Sequence, residues 1–247
     1  LRKVPENVPN RDMLERYLGM PLTSVPDPFT TEYQSFGHGN NARLRAFLDS
    51  FGLEYEFQSS TDWYTSRRFD DVLFSMMSHY DEIQQVMLPT LGKDRQESYS
   101  IFLPISPSTG KILQVPVQVN ASDRTITFID VNGNVITNPL SGETVKLQWK
   151  ADWAARWVAL DVDYEMFGKD LITSAELSSK IANILGAKQP EGFTYELFLD
   201  KDGRKISKSL GNGLSIEEWL RYAPAESLSY YMYQQPKRAK KLYSEVI

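Results

Sequence analysis

The sequence contains no cysteine. That excludes disulfides and thiolate metal sites. It has two histidines, His38 and His79, far apart and without cysteine neighbours. Such a pair gives no metal-ligand spacing, and each reads as a structural residue. No apolar run approaches the roughly 20 residues of a membrane span, and no signal-peptide pattern opens the sequence as given. An excess of positive charge is also missing: 27 Lys and Arg face 32 Asp and Glu, a formal net charge of -5. Global charge therefore does not advertise a nucleic-acid partner, and any such contact must use a local patch. Lys237-Arg238-Ala239-Lys240-Lys241 is one basic patch, whose simpler reading is a solvated helix end. These absences fit a cytoplasmic protein with no membrane contact; they leave the oligomeric state open, a monomer being the favoured expectation.

What is present is a chain of 247 residues with ordinary apolar and charged fractions, enough for one large or two small domains. It opens on a proline-bearing loop without a starting methionine. A short helix is expected over residues 11–18, then a turn-rich stretch over 19–40. Asn41 is expected to cap a helix over 42–51 with Leu44, Phe47, Leu48 and Phe51 on one face. Residues 53–57 alternate as a strand does. Helices follow over 66–79 and 80–87; Met76 and Met77 belong to their apolar face. Between 98 and 150 the character changes to short β-prone runs, with Asn132-Gly133 signalling a two-residue hairpin turn. From Ala151 an α/β alternation resumes: a helix from Asp152, a strand over 161–167, a helix over 174–185, and a strand over 193–199. Ser215 and Glu218 form a capping-box pattern, and a last helix follows Pro224.

The chemistry concentrates in Lys205-Ile206-Ser207-Lys208-Ser209, flanked by Gly203 and by Gly211-Asn212-Gly213. Two ammonium groups on flexible stems suit phosphate oxygens, and the hydroxyls add donors and acceptors. The alternative is a solvated basic turn. About one βα unit earlier stands Gly168-Lys169-Asp170, at a strand-to-helix turn where glycine permits close ligand approach and the helix start favours anions.

The five-residue lysine run resembles the K-M-S-K-S signature of class I aminoacyl-tRNA synthetases, with Ile206 in place of methionine. The sequence around it resembles the lysyl branch of that class: residues 195–200 leading in, Trp219-Leu220-Arg221-Tyr222-Ala223 and Tyr233-Gln234-Gln235-Pro236 following, and residues 22–28 and 40–45 upstream. The resemblance implies an α/β fold, a Rossmann-like nucleotide-binding parallel sheet with a small antiparallel β insertion. It implies a division into a first catalytic half with a helical insertion (1–97), a β-rich insertion (98–150), a second catalytic half with the lysine loop (151–223) and the start of a helical stem-contact or anticodon-binding region (224–247).

The implied activity is activation of lysine by ATP, brought with Mg2+, and transfer to tRNA(Lys). Lys205 and Lys208 would be catalytic, neutralising the departing pyrophosphate, with Lys208 the larger contributor. Gly168, Asp170, Lys205, Ile206, Ser207, Lys208 and Ser209 would bind ATP. Asp152, Trp153 and Tyr195 are candidates for the lysine slot, which needs apolar walls and a polar partner for the ammonium.

Two departures from the pattern stand out. Ser106-Pro107-Ser108-Thr109-Gly110 has the outline of a C-P-x-C-G zinc knuckle with both cysteines replaced; some members of the family carry zinc here. A metal-free remnant and an ordinary Ser-Pro turn are both open readings, and no zinc or other protein-held metal is expected. Nor does anything match the H-I-G-H signature of the class; Gly37-His38-Gly39 stands out of place. The chain is therefore expected to be a piece of a longer synthetase, lacking a first βα unit and a helical C-terminal part, and to show little catalysis alone. Rival readings are another class I synthetase such as the glutamyl type, and a non-catalytic RNA- or protein-binding paralogue.

Overall fold

The structure is a computed structural model that describes residues 1–4, 8–206 and 212–246. The N-terminal part is helical. Helix α1 (Arg11–Glu15) is followed by α2 (Phe36–Ser50). The capping site of α2 is Ser35, not Asn41: its hydroxyl accepts from the His38 backbone N–H at 3.2 Å and lies 2.7 Å from His38 Nδ1. The helix therefore begins five residues before the end of the turn-rich stretch, because a serine in extended conformation satisfies the free N–H of the third helical residue. Val4, Leu14, Val25 and Phe36 form a small core of their own.

Helices α3 (Ser60–Thr65), α4 (Asp70–Ser78), α5 (Tyr80–Met87) and α6 (Lys93–Ser98) follow. The helix expected over 66–79 is thus broken at its start. Arg67 adopts a left-handed φ of 66°, which a helix cannot propagate, and its guanidinium turns to Asp70 at 2.7 Å. Residues 53–57 join no ladder, although they alternate; Leu53 and Tyr55 are exposed. Alternation makes a strand only where a neighbouring edge exists to pair with.

Five short strands then form antiparallel pairs: β1 (Phe102–Pro104), β2 (Gln118–Asn120), β3 (Thr125–Ile129), β4 (Val135–Pro139) and β5 (Val145–Leu147). Strand β1 pairs with β5, and β2-β3-β4 form a meander. The turn around Asn132-Gly133 is longer than a two-residue hairpin. Ile129 pairs with Val135, and Asp130 N–H donates to the Asn134 carbonyl at 2.9 Å, leaving residues 131–133 as the tip. At the knuckle-like turn, Ser106 Oγ lies 3.1 Å from Ser108 Oγ, which donates to Asp130 Oδ2 at 2.7 Å. The hydroxyls of Ser106 and then Ser108 hold the Asp130 carboxyl below its ordinary pKa.

Helix α7 (Trp149–Leu160) starts three residues before Asp152, which sits in its first turn. Strand β6 (Tyr164–Gly168), a short 3-10 turn at Lys169–Leu171, helix α8 (Ile172–Ile184) and strand β7 (Glu191–Tyr195) make one βαβ unit. Strands β6 and β7 pair in parallel, with Gly168 opposite Tyr195. The strand expected over 193–199 divides into β7 and β8 (Phe198–Leu199). After α9 (Ile216–Tyr222), with its Ser215–Glu218 capping box, and α10 (Ala225–Tyr233), strand β9 (Lys240–Lys241) pairs with β8 in parallel.

The architecture is α/β; among the described residues the parallel pairings are β6 with β7 and β8 with β9, two strands each, and the Rossmann-like parallel sheet that the resemblance implies does not stand out as one sheet. One core runs through α4, α5, the antiparallel strands, α7 and α8: Leu73, Met76, Ile83, Ile101, Phe102, Ile126, Val145 and Ile181 are completely buried. Burying side chains of this size stabilises by roughly 1.5–3 kcal/mol each. No helix among the described residues is long and apolar enough to cross a membrane.

Candidate nucleotide and amino-acid site

The G-K-D motif stands at the carboxyl end of β6, and the lysine loop follows β8, from which Lys205 reaches back to it. Gly168 closes β6, and the chain turns at once into Lys169–Leu171 and α8. The backbone at Gly168 is ordinary extended (φ -68°, ψ 148°), so the glycine answers a need for space. A Cβ there would stand 2.7 Å from Asp170 Oδ1. The first turn of this unit thereby folds the Asp170 carboxylate back over the strand end.

Across the gap, residues 200–206 form a tight return. Gly203 takes a left-handed φ of 81°, and Gly203 N–H donates to the Asp200 carbonyl at 3.0 Å. Asp200, nearly buried, organises the turn: its Oδ1 accepts from the backbone N–H of Asp202 (3.0 Å) and Arg204 (2.8 Å), and its Oδ2 from Asn212 Nδ2 (2.7 Å). The Asn212 bond, then that from Arg204, holds this carboxyl below the usual range. Asn212 also donates to the Lys205 carbonyl at 3.3 Å, and Ile206 N–H donates to the Phe198 carbonyl at 3.0 Å. Lys205 is thus laid antiparallel beside Leu199.

From there the Lys205 ammonium reaches Asp170 Oδ2 at 2.6 Å. Lys169 Nζ makes the neighbouring bridge to Glu196 Oε1 at 2.7 Å. Both carboxyls are held below their ordinary pKa, Asp170 chiefly by the hydrogen bond from Lys205 and Glu196 chiefly by that from Lys169. Both pairs are solvent-exposed, so each adds little to stability. Their consequence is geometric: two ammonium groups and two carboxylates meet where the parallel strands end. Ser207, Lys208 and Ser209 lie outside the described residues.

Asp152, Trp153 and Tyr195 are brought together. They line one cavity of about 340 Å3, with Trp149, Arg156 and Glu165. Tyr195 also faces the strand-end cleft with Lys169 and Glu196, so the two spaces share a wall. Asp152 is already engaged: the Tyr64 hydroxyl donates to its Oδ1 at 2.6 Å, and Arg156 pairs with its Oδ2. Burial, then the Asp152 charge, pushes the Tyr64 phenol well up. A cavity of about 690 Å3 opens on the other face of β6 and β7, lined by Tyr164, Met166, Phe193 and Tyr233. Its walls suit a flat apolar group.

Glu165 and Arg156 were not singled out in the sequence. The signal that could have found Glu165 is the four-residue spacing of Trp149, Trp153 and Trp157, which puts three indoles on one helix face, opposite a strand whose alternate residues are Glu165 and Phe167. Among the described residues, no three His, Cys, Asp or Glu side chains gather as a metal site.

A profile of the family described as tRNA synthetases class I (K) matches residues 1–247. Proteins named lysine–tRNA ligase align over the whole chain: that of Roseobacter denitrificans is 57% identical and that of Rickettsia rickettsii 54%. The one from Rickettsia bellii is 53% identical. The chain spans 47% of the length of each of these relatives. By this end-to-end match the chain belongs to the class I tRNA synthetase family of the lysine type.

Proposed function

We propose that this chain carries the amino-acid activation centre of a lysine–tRNA ligase, in a Rossmann-like catalytic fold whose nucleotide site lies at the ends of β6 and β7. The observation that carries the reading is the Lys205–Asp170 bridge, which joins the G-K-D turn to the lysine loop across the strand ends. Open parallel sheets bind ligands at this edge. The nearby start of α8 adds a partial positive charge suited to phosphate.

In this reading ATP, with its Mg2+, is bound by Gly168, Asp170, Lys205, Ile206, Ser207, Lys208 and Ser209. Lysine occupies the cavity of Asp152, Trp153 and Tyr195, its carboxylate directed past Tyr195 toward the cleft. A carboxylate oxygen attacks the α-phosphorus, the bond to the bridging oxygen breaks, and pyrophosphate leaves with its new charge. Lys205 and Lys208 neutralise that charge, an interaction stronger in the transition state than in the ground state. Lys205 exchanges its Asp170 partner for phosphate oxygens, and Asp170 becomes free for ribose hydroxyls. The aminoacyl group then passes to tRNA(Lys). The protein works as a cytoplasmic monomer. Residues 1–97 and 151–223 form the catalytic halves, 98–150 the insertion, and 224–247 opens the helical tRNA-binding region.

The test is amino-acid-dependent ATP–pyrophosphate exchange by the complete gene product. Lysine supports exchange and glutamate does not. Exchange with glutamate, or with no amino acid at all, overturns the reading.

A further inference from the structure

The lysine cavity contains a charge that the reading above leaves unused. Three charged side chains line it: Asp152, Arg156 and Glu165. Asp152 and Arg156 neutralise each other through their i,i+4 bridge. Among the described residues Glu165 is bonded by neutral donors alone, Trp153 Nε1 to its Oε1 at 2.8 Å and Trp157 Nε1 to its Oε2. Among the described residues it enters no ion pair. The described wall therefore carries a formal net charge of -1, and it resides on Glu165.

The surroundings of that charge favour a cation on a flexible stem. Trp149 stacks on Trp153 with ring centroids 5.5 Å apart at 19°, and Phe167 meets Trp153 edge-on at 5.6 Å and 87°. Aromatic faces attract ammonium groups, and the same rings cover methylene groups. A carboxylate accepting two bonds keeps further lone pairs for a third donor. The two indole N–H groups fix its direction, so little ordering is left to do when a ligand arrives.

We propose that Glu165, and not Asp152, supplies the negative charge that selects the side-chain ammonium of the amino-acid substrate. This rests on the activation reading of the site. Asp152 then holds Tyr64 and Arg156 in place as a positioning residue.

The experiment compares Glu165→Gln with wild type, each as the complete gene product, in pyrophosphate exchange with lysine and with norleucine, which has the four-carbon stem without the ammonium. The variant is expected to raise the KM for lysine about tenfold or more, with the KM for ATP little changed. The lysine-to-norleucine ratio of kcat/KM falls by the same factor, and Glu165→Asp restores most of it. If Glu165→Gln fails to fold, Glu165→Asp decides: retained preference for lysine supports the proposal, and loss of preference overturns it. A ratio unchanged in Glu165→Gln, or equal losses on both substrates, reduces Glu165 to a clamp between β6 and α7 and overturns it. Wild type without lysine-dependent exchange removes the activation reading itself; an active wild type with an unchanged variant ratio removes this proposal alone.

Discussion

Lys205 Nζ lies 2.6 Å from Asp170 Oδ2, joining two motifs that are 35 residues apart in the chain. The pair is exposed, so its worth is in placing an ammonium over the strand ends. Because Lys205 is the main cause of the lowered Asp170 pKa, Lys205→Ala is expected to raise that pKa toward the ordinary carboxylate range. Carboxyl chemical shifts followed by NMR across acid pH check it. An unmoved Asp170 titration shows that the bridge does not form in solution.

Asp200 ties the turn that presents Lys205. Its folded pKa is depressed, so its contribution is present above the unfolded value of about 3.9 and is lost as pH falls through the folded one. Asp200→Ala is expected to lower lysine-dependent exchange about tenfold or more, since the turn donors lose their shared acceptor. An exchange rate like that of wild type contradicts this role.

What was legible in the sequence is local. The G-K-D turn, the return at Gly203 and the Ser215–Glu218 capping box each consist of neighbouring residues whose chemistry fixes their own geometry. What was not legible depends on partners distant in the chain. Alternation at residues 53–57 could not reveal that none of the described strands lies beside them. The helical spacing over 66–79 could not reveal that Arg67 reverses the backbone toward Asp70. Asp152 read as an available carboxylate because its partner Tyr64 comes from 88 residues away. Glu165 passed unnoticed because its meaning lies in two indoles of another element.

Lys146 is largely buried, its ammonium 3.8 Å from the centre of the Tyr64 ring. Burial lowers its pKa from 10.5 to about 8, partly offset by the Asp152 charge. Between those values the unfolded chain binds more protons, so stability rises with pH through this window. Below pH 8 the full cost of the buried charge is present. Lys146→Met is therefore expected to stabilise the fold at pH 7 by roughly 1–3 kcal/mol, the gain shrinking toward pH 10.5. Denaturant melts at pH 7 and 10 check the sign; a destabilised variant at pH 7 contradicts it.

Gly142 is fixed by close approach. Its N–H donates to Asp70 Oδ1 at 3.0 Å, and a Cβ would stand 2.1 Å from the Tyr64 carbonyl oxygen. Backbone must move to admit it. Gly142→Ala is expected to cost about 1–3 kcal/mol, read as a lower denaturation midpoint. A midpoint equal to that of wild type contradicts the packing of residue 142 against α3.

The most direct test of the account is single-turnover lysine activation by Lys205→Ala and Lys208→Ala in the complete gene product. If the two ammonium groups neutralise the leaving pyrophosphate, the activation rate falls roughly 100-fold or more, furthest for Lys208→Ala, while the ATP dissociation constant moves only a few-fold. Unchanged rates, or losses confined to ATP affinity, contradict it.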